Sequence, residues 1–373
     1  MLSLLCRPSS SYLLKSYIQF TRRTDGEGYV QDPRNCWFDH PYLLLDYVDS
    51  EKGTPLSDTL RDFRGIDTHR MENLCRDISR IMLSLASKSQ SNIGSLRFNN
   101  DGSIALASRP LFCAHSILES EGAPRVVDKT YKTSANFIDD LLQFREEAFR
   151  AQPNAVNDEE DCYLQILHMI LLRRWKPQLL DSNAEGPFAL QLTDFHANNI
   201  FVDDQWNIVA LIDLEFVCAL PTSMMSVPHW LSVDAIDEIG DQPDTFGEMH
   251  DFFMQIFRDQ ERSLNHEHSI QLASTIQDAW VTGSYWFYRC FTSINGMACC
   301  LEDHLYEKFQ FGLSQDEERR YAKMTSSEWS SDPKAFVEQK LRDKTKYNND
   351  MAQLFDEQDA TRSKDAHIST AAA

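Results

Sequence analysis

Residues 188–215 constrain the chain more than any other segment. They read Phe-Ala-Leu-Gln-Leu-Thr-Asp-Phe-His-Ala-Asn-Asn-Ile-Phe-Val-Asp-Asp-Gln-Trp-Asn-Ile-Val-Ala-Leu-Ile-Asp-Leu-Glu. Three apolar runs, Phe188–Leu192, Ile200–Val202 and Ile208–Ile212, have the length of strands. The polar turn Asp203–Asn207 makes the last two a hairpin, and Asp203 and Asp204 are read as turn formers. A loop is left between strands, carrying Asp194 and Asn199 five positions apart, and Asp213 ends the last strand. A carboxylate in such a loop can orient a hydroxyl and accept its proton. An amide oxygen and a second carboxylate can hold a hard cation against phosphate oxygens. A single Asp in a loop is ordinarily a turn former or helix cap. The ordered set of Asp194, Asn199 and Asp213 is what argues for chemistry.

The rest of the chain reads as mostly helical. Pro41–Val48 is an apolar run expected as a buried strand, followed by a turn at Gly53-Thr54-Pro55. His69–Ser87 places Met71, Leu74, Cys75, Ile78, Met82 and Leu85 at helical spacing. Leu96–Leu106 is expected to be a hairpin turning at Asn100-Asp101-Gly102. Two helices follow, Ser134–Arg150 with Ser134 as N-cap and Glu159–Trp175 ended by Pro177. From Thr245 the chain again reads as helix, with a stripe of Met249, Phe252, Phe253, Ile256 and Phe257, continuing through Ile270–Phe291. Strands do not alternate with helices as in a doubly wound sheet, so the expected class is α+β.

Charge narrows the function classes. The chain carries 36 basic and 57 acidic residues, a net charge of −21. A nucleic-acid binder or a polybasic membrane-surface protein needs the opposite balance. A small-molecule substrate remains as the expected partner. Nine cysteines without a regular frame read as reduced intracellular thiols. The expected location is the cytoplasm. The first 24 residues lack Asp and Glu and carry Arg7, Lys15, Arg22 and Arg23, so a mitochondrial transit segment is the alternative.

The spacing Asp194-x-x-x-x-Asn199, then a strand-end Asp213, matches the catalytic loop and metal Asp of protein kinases. The stretch Leu-Thr-Asp-Phe-His-x-x-Asn-Ile-Phe-Val-Asp-Asp-x-Trp-Asn-Ile more specifically resembles the aminoglycoside phosphotransferase and choline kinase-like family, in a fungal branch. Ile93–Leu96, Arg109–Leu111, Gln152–Asn154, Leu220-Pro221 and Pro228–Leu231 carry the resemblance over about residues 40–345. It implies a protein-kinase-like C-terminal lobe using ATP and Mg2+, with Asp194 as catalytic base and Asn199 and Asp213 as metal ligands. His196 matches the family's loop histidine and is expected to brace the loop. Leu192 stands where the family has the His of His-Gly-Asp, and Glu215 is given a supporting role.

The expected organisation is an N-terminal remnant or transit-like segment over residues 1–39, a phosphotransferase-like domain over 40–343 and a polar, disordered tail over 344–373. A kinase fold also needs an N-terminal lobe with a glycine-rich phosphate cover and a strand lysine. Before Pro41 there is only Gly26-x-Gly28, and Lys15 lies on its wrong side, so that lobe is expected to be truncated or vestigial. Two readings compete with a working enzyme. One is an inactive kinase-like remnant that binds a partner. The other makes Asp194, Asp213 and Glu215 a two-metal hydrolase centre. Trp280, Tyr285, Trp286 and Tyr288 are read either as packed helices or as a cage for a quaternary ammonium group. The stripe at Met249–Phe257 is read as core rather than an acyl pocket, and His266 and His268 as a solvated loop. No Gly-x-Ser-x-Gly supports a serine hydrolase.

Overall fold

The computed structural model describes residues 47–99, 103–180, 185–264 and 271–371, with side-chain surroundings through Phe355. The 1–39 segment, most of the Pro41–Val48 run, the Asn100–Gly102 turn, and His266 and His268 lie outside the described residues. Backbone contacts group the chain into two compact units. One holds residues 47–117, 126–140 and 177–308; the other holds 118–125, 141–176 and 309 onward. The boundaries at 117/118, 140/141 and 176/177 fall inside helices, so no linker marks them in the sequence.

The first unit is a mixed α+β structure built on two antiparallel sheets. The three-stranded sheet has the order β1 (Thr54–Pro55), β5 (Ile200–Val202), β6 (Ile208–Leu211). The four-stranded sheet has the order β3 (Ile104–Ser108), β2 (Gly94–Phe98), β7 (Val217–Pro221), β4 (Phe188–Leu192). The hairpins expected at 96–106 and 200–212 both form, the first with strands that begin at Gly94 and end at Ser108. The turn expected at Gly53–Pro55 lies earlier. Lys52 and Gly53 both donate to the Asp49 carbonyl, and Thr54–Pro55 pairs instead with Val202 and Phe201. Pro55 is tolerated because β1 is an edge strand.

Helix α1 (Ser57–Phe63) precedes α2 (Thr68–Ala86), the helix expected at 69–87. The Asp67 carboxylate caps α2 by accepting from Arg70 N at 3.1 Å. The apolar face of α2 supplies Met71, Leu74, Cys75 and Ile78 to the core, against Ile200, Val202, Ile208 and Leu211. Its polar buried residues fix the hairpin. Asp77 accepts from Ile208 N at 2.9 Å, and Asn73 donates to Gln205 O at 2.9 Å. Within the turn, Asp203 accepts from the backbone of Gln205 and Asn207, each at 2.9 Å, the turn-forming role expected of it. Buried Trp206 donates to Thr59 Oγ1 at 3.1 Å. The strand ending in Asp213 is thus held from both α1 and α2.

Helix α3 spans Cys113–Ser120, α4 Ser134–Ala151 and α5 Glu159–Leu179. The cap of α4 is Thr133, whose hydroxyl accepts from Asn136 N at 3.3 Å, and not Ser134, whose buried hydroxyl has no hydrogen-bond partner among the described residues. Pro177 does not end α5, which runs on to Leu179. Helix α6 (Pro243–Leu264) carries the expected stripe. Phe253 and Phe257 are fully buried in the core, so the stripe packs and does not line an acyl pocket. The helix expected through Ile270–Phe291 is two helices, α7 (Leu272–Thr282) and α8 (Ser284–Thr292). Gly283 separates them at φ 82°, a left-handed conformation that ends α7. Trp280, Tyr285 and Trp286 pack on one another with ring centroids 4.6–5.6 Å apart. This is the packed-helix reading of that aromatic group.

The second unit contains α9 (Gln315–Thr325) and α10 (Pro333–Ala371). A Ser314–Glu317 capping box opens α9. Phe149, Trp329 and Phe336 form an aromatic cluster with Arg150 stacked 3.7 Å above Trp329. The disorder expected beyond Lys344 differs from the helical backbone that continues to Ala371. No Gly or Pro occurs after Pro333, and Gln, Glu, Lys, Arg and Ala recur there, so the local propensity is helical despite the polarity. Among the described residues, no helix is long and apolar enough to cross a membrane. The seven described cysteines are free thiols.

Candidate active site

Strand β4 delivers the loop. Its last residue pairs with Val217, and Thr193 N then donates to Phe216 O at 2.9 Å. The Thr193 hydroxyl lies within donating distance of the carbonyls of Leu111 (2.6 Å) and Phe216 (2.9 Å). Asp194 is therefore placed by a residue anchored on two sides. One step later, the Trp230 indole donates to Phe195 O at 2.7 Å and its ring meets Phe195 edge-on at 5.8 Å. A short 3-10 turn, Ala197–Asn199, leads into β5.

Asn199 closes the loop on itself. It is 6% exposed, and its Nδ2 donates to Asp194 O at 3.0 Å. The same nitrogen lies 3.4 Å from Asp194 Oδ2 and 3.3 Å from His196 Nε2. His196 Nε2 is 3.6 Å from Asp194 Oδ1. His196 thus rests against both loop residues. Asn199 O accepts from Ile212 N at 3.0 Å, which ties the loop to the residue before Asp213.

Asp213 adopts φ 54°, ψ 53°. Asp tolerates this left-handed region better than most side chains, at some cost. Asp194, Asn199 and Asp213 all line one crevice, together with Leu192, Phe195 and Phe216. The Asn199 nitrogen is used inside the loop, and its oxygen makes no hydrogen bond among the described residues. An amide oxygen and a carboxylate in one crevice are a donor set suited to Mg2+, a hard cation with oxygen ligands. The residues present therefore fit the metal that the sequence resemblance implies.

Glu215 does not line that crevice. Among the described residues no group of three or more His, Cys, Asp or Glu is arranged to hold a metal. The grouping of Asp194, Asp213 and Glu215 needed for a two-metal hydrolase centre is thus not formed.

Asp194 also faces a second, larger cavity of about 410 Å3, with a wall that includes Met82, Phe112, Ile117 and Trp230. Cys113 lies at this face. Burial first, then the charge of Asp194 and a hydrogen bond to it, pushes the Cys113 thiol up, so it stays protonated. His229 also faces the cavity, and burial first, then the charge of Arg289, pushes it down to about 3. Arg289 and Tyr288 enter from α8. Neither Cys113 nor Arg289 was singled out in the sequence. The signal for the second was available in Tyr285, Tyr288, Arg289 and Thr292, which recur at helical spacing.

The segment that builds this arrangement has a counterpart. Residues 129–222 match the family described as the phosphotransferase enzyme family. The matched span includes β4, the Asp194–Asn199 loop, the β5–β6 hairpin and Asp213. It supports a phosphotransferase-like function in general terms. Comparison with curated proteins and with solved structures gives no match.

Proposed function

We propose that the chain is an ATP- and Mg2+-dependent phosphotransferase with a protein-kinase-like C-terminal lobe, acting on the hydroxyl of a small molecule. The observation that carries this reading is the convergence of Asp194, Asn199 and Asp213 on one crevice inside the family-matched segment. In this reading Asp194 orients the acceptor hydroxyl and takes its proton. The acceptor oxygen gains the bond to phosphorus that the leaving ADP oxygen loses. Asn199 and Asp213 would hold Mg2+, which would supply positive charge to the phosphate oxygens. His196 and Trp230 act on position: they keep the loop that carries Asp194 in one geometry. The 410 Å3 cavity beside Asp194 takes the acceptor, being in the range of small-molecule sites, about 300–1,000 Å3.

The test is calorimetry of ATP binding with and without Mg2+, followed by phosphoryl transfer from labelled ATP. Mg2+-dependent ATP binding that weakens in Asp213→Ala is the expected result. No ATP binding at about 5 mM, an affinity weaker than roughly −3 kcal/mol, overturns the reading and leaves the binding remnant.

A further inference from the structure

The cavity beside Asp194 contains a charge that phosphoryl transfer itself does not require. Helix α8 turns Tyr285, Tyr288, Arg289 and Thr292 toward it. Arg289 Nη2 donates to Ser226 Oγ at 2.8 Å, and the guanidinium lies 5.3 Å from the centre of the Tyr285 ring. Among the described residues, Arg289 has no carboxylate within ion-pair distance.

The other charges around the cavity do not compensate it. Asp234 also lines the cavity, and it is paired with Arg61 at 2.7 Å and with Arg64. His229, beside Arg289, is neutral at physiological pH. Tyr288 shares a 2.8 Å hydrogen bond with Ser223 Oγ, and burial holds its phenol up at about 12, so it too is neutral. Asp194 is the remaining acid, and its place is at the reacting hydroxyl. A guanidinium whose partners are neutral hydroxyls, in an apolar wall, is arranged for a planar anion, which it can grip through two parallel hydrogen bonds. A cationic amine there would meet like charge with little water to screen it.

We propose that the acceptor is a hydroxyl compound with an apolar body and a carboxylate. Arg289 holds the carboxylate while the hydroxyl faces Asp194. The role of that hydroxyl rests on the phosphotransferase reading; the selection of a carboxylate does not. It follows that cationic amino alcohols, though favoured by the net charge of −21, are rejected at this cavity.

Calorimetry of the full chain without nucleotide tests it, using 8-hydroxyoctanoate, 1,8-octanediol and 8-amino-1-octanol as probes. The hydroxy acid is expected to bind at least about tenfold more tightly than the amino alcohol, the difference a charge-assisted pair supplies. Arg289→Gln is expected to reduce the hydroxy acid to the affinity of the diol and leave the diol unchanged. Equal or tighter binding of the amino alcohol overturns the proposal, as does a preference that survives Arg289→Gln. No binding of the hydroxy acid at about 5 mM overturns it as well. The comparison of the three probes on the unaltered chain stands even if the variant fails to fold. Arg289-dependent selectivity without phosphoryl transfer from ATP keeps this proposal and removes the phosphotransferase reading. Transfer to the amino alcohol in preference to the hydroxy acid does the reverse.

Discussion

The side chain of Asn199 donates to the backbone carbonyl of Asp194 at 3.0 Å, across a loop of five residues. One bond therefore does two things. It fixes the peptide that carries the proposed base, and it occupies the amide nitrogen while the oxygen makes no hydrogen bond among the described residues.

Asn199→Leu removes that bond and leaves a part-buried carbonyl short of a partner. A loss of about 1–3 kcal/mol in unfolding free energy is expected, read from denaturant melts. Asn199→Asp keeps the shape but withdraws the donor and sets a second carboxylate beside Asp194. It is expected to destabilise as well, and to alter Mg2+ affinity measured by calorimetry.

Asp194→Asn is expected to preserve the fold and lower phosphoryl transfer by about 10²–10⁴-fold, the range for removing general base action. The check is kcat alongside a circular dichroism spectrum matching the unaltered chain. Retention of full activity contradicts the role given to Asp194.

Asp213 separates stability from activity. Its left-handed backbone at φ 54° costs an ordinary side chain about 1–2 kcal/mol. Asp213→Gly is expected to hold or raise the melting temperature while abolishing Mg2+-dependent ATP binding. Asp213→Ala is expected to lower both. A chain in which Gly and Ala behave alike in thermal melts contradicts the backbone account.

Trp230→Phe keeps a ring against Phe195 but loses the 2.7 Å bond to its carbonyl. A cost of about 1 kcal/mol is expected. Because Trp230 acts on the loop next to Asp194, kcat is expected to fall more than the acceptor KM rises. A change confined to thermal stability would leave Trp230 as a packing residue.

Acid should destabilise the first unit through two half-buried histidines. Burial pushes His229 down to about 3 and His304 to about 4, while the same groups titrate near 6.5 when unfolded. Between those values the unfolded chain binds more protons, so stability present above pH 6.5 is lost as pH falls toward 4. Melting temperatures at pH 7 and pH 5 measure this. His304 stacks on Trp286 at 3.4 Å, so His304→Phe can keep the stack while reducing the pH dependence.

Much of the site was legible because its determinants are local. Asp194, Asn199 and Asp213 lie within twenty residues, and alternating strand and turn chemistry is enough to bring them together. Helix α2 was legible for the same reason: six apolar residues at one spacing have one way to be buried. Boundaries were less so. Pro177 sits inside α5, Thr133 caps α4 in place of Ser134, and Gly283 splits an apparently continuous helix. Each depends on which neighbour satisfies a backbone group, and a propensity does not name the neighbour.

By itself, then, the sequence determined the strand–loop–hairpin order, its three polar residues and the α+β class. All of these follow from side-chain period and short-range turn chemistry. Only the tertiary structure decided what stands around Asp194. Cys113, the Ser226–Trp230 segment and Arg289 come from separate parts of the chain, and they line one cavity with Asp194 only in the folded chain. The charge that selects the acceptor follows the same rule. The chain carries a net charge of −21, yet the cavity wall presents an uncompensated guanidinium, because each nearby acid is either paired elsewhere or placed at the reacting hydroxyl.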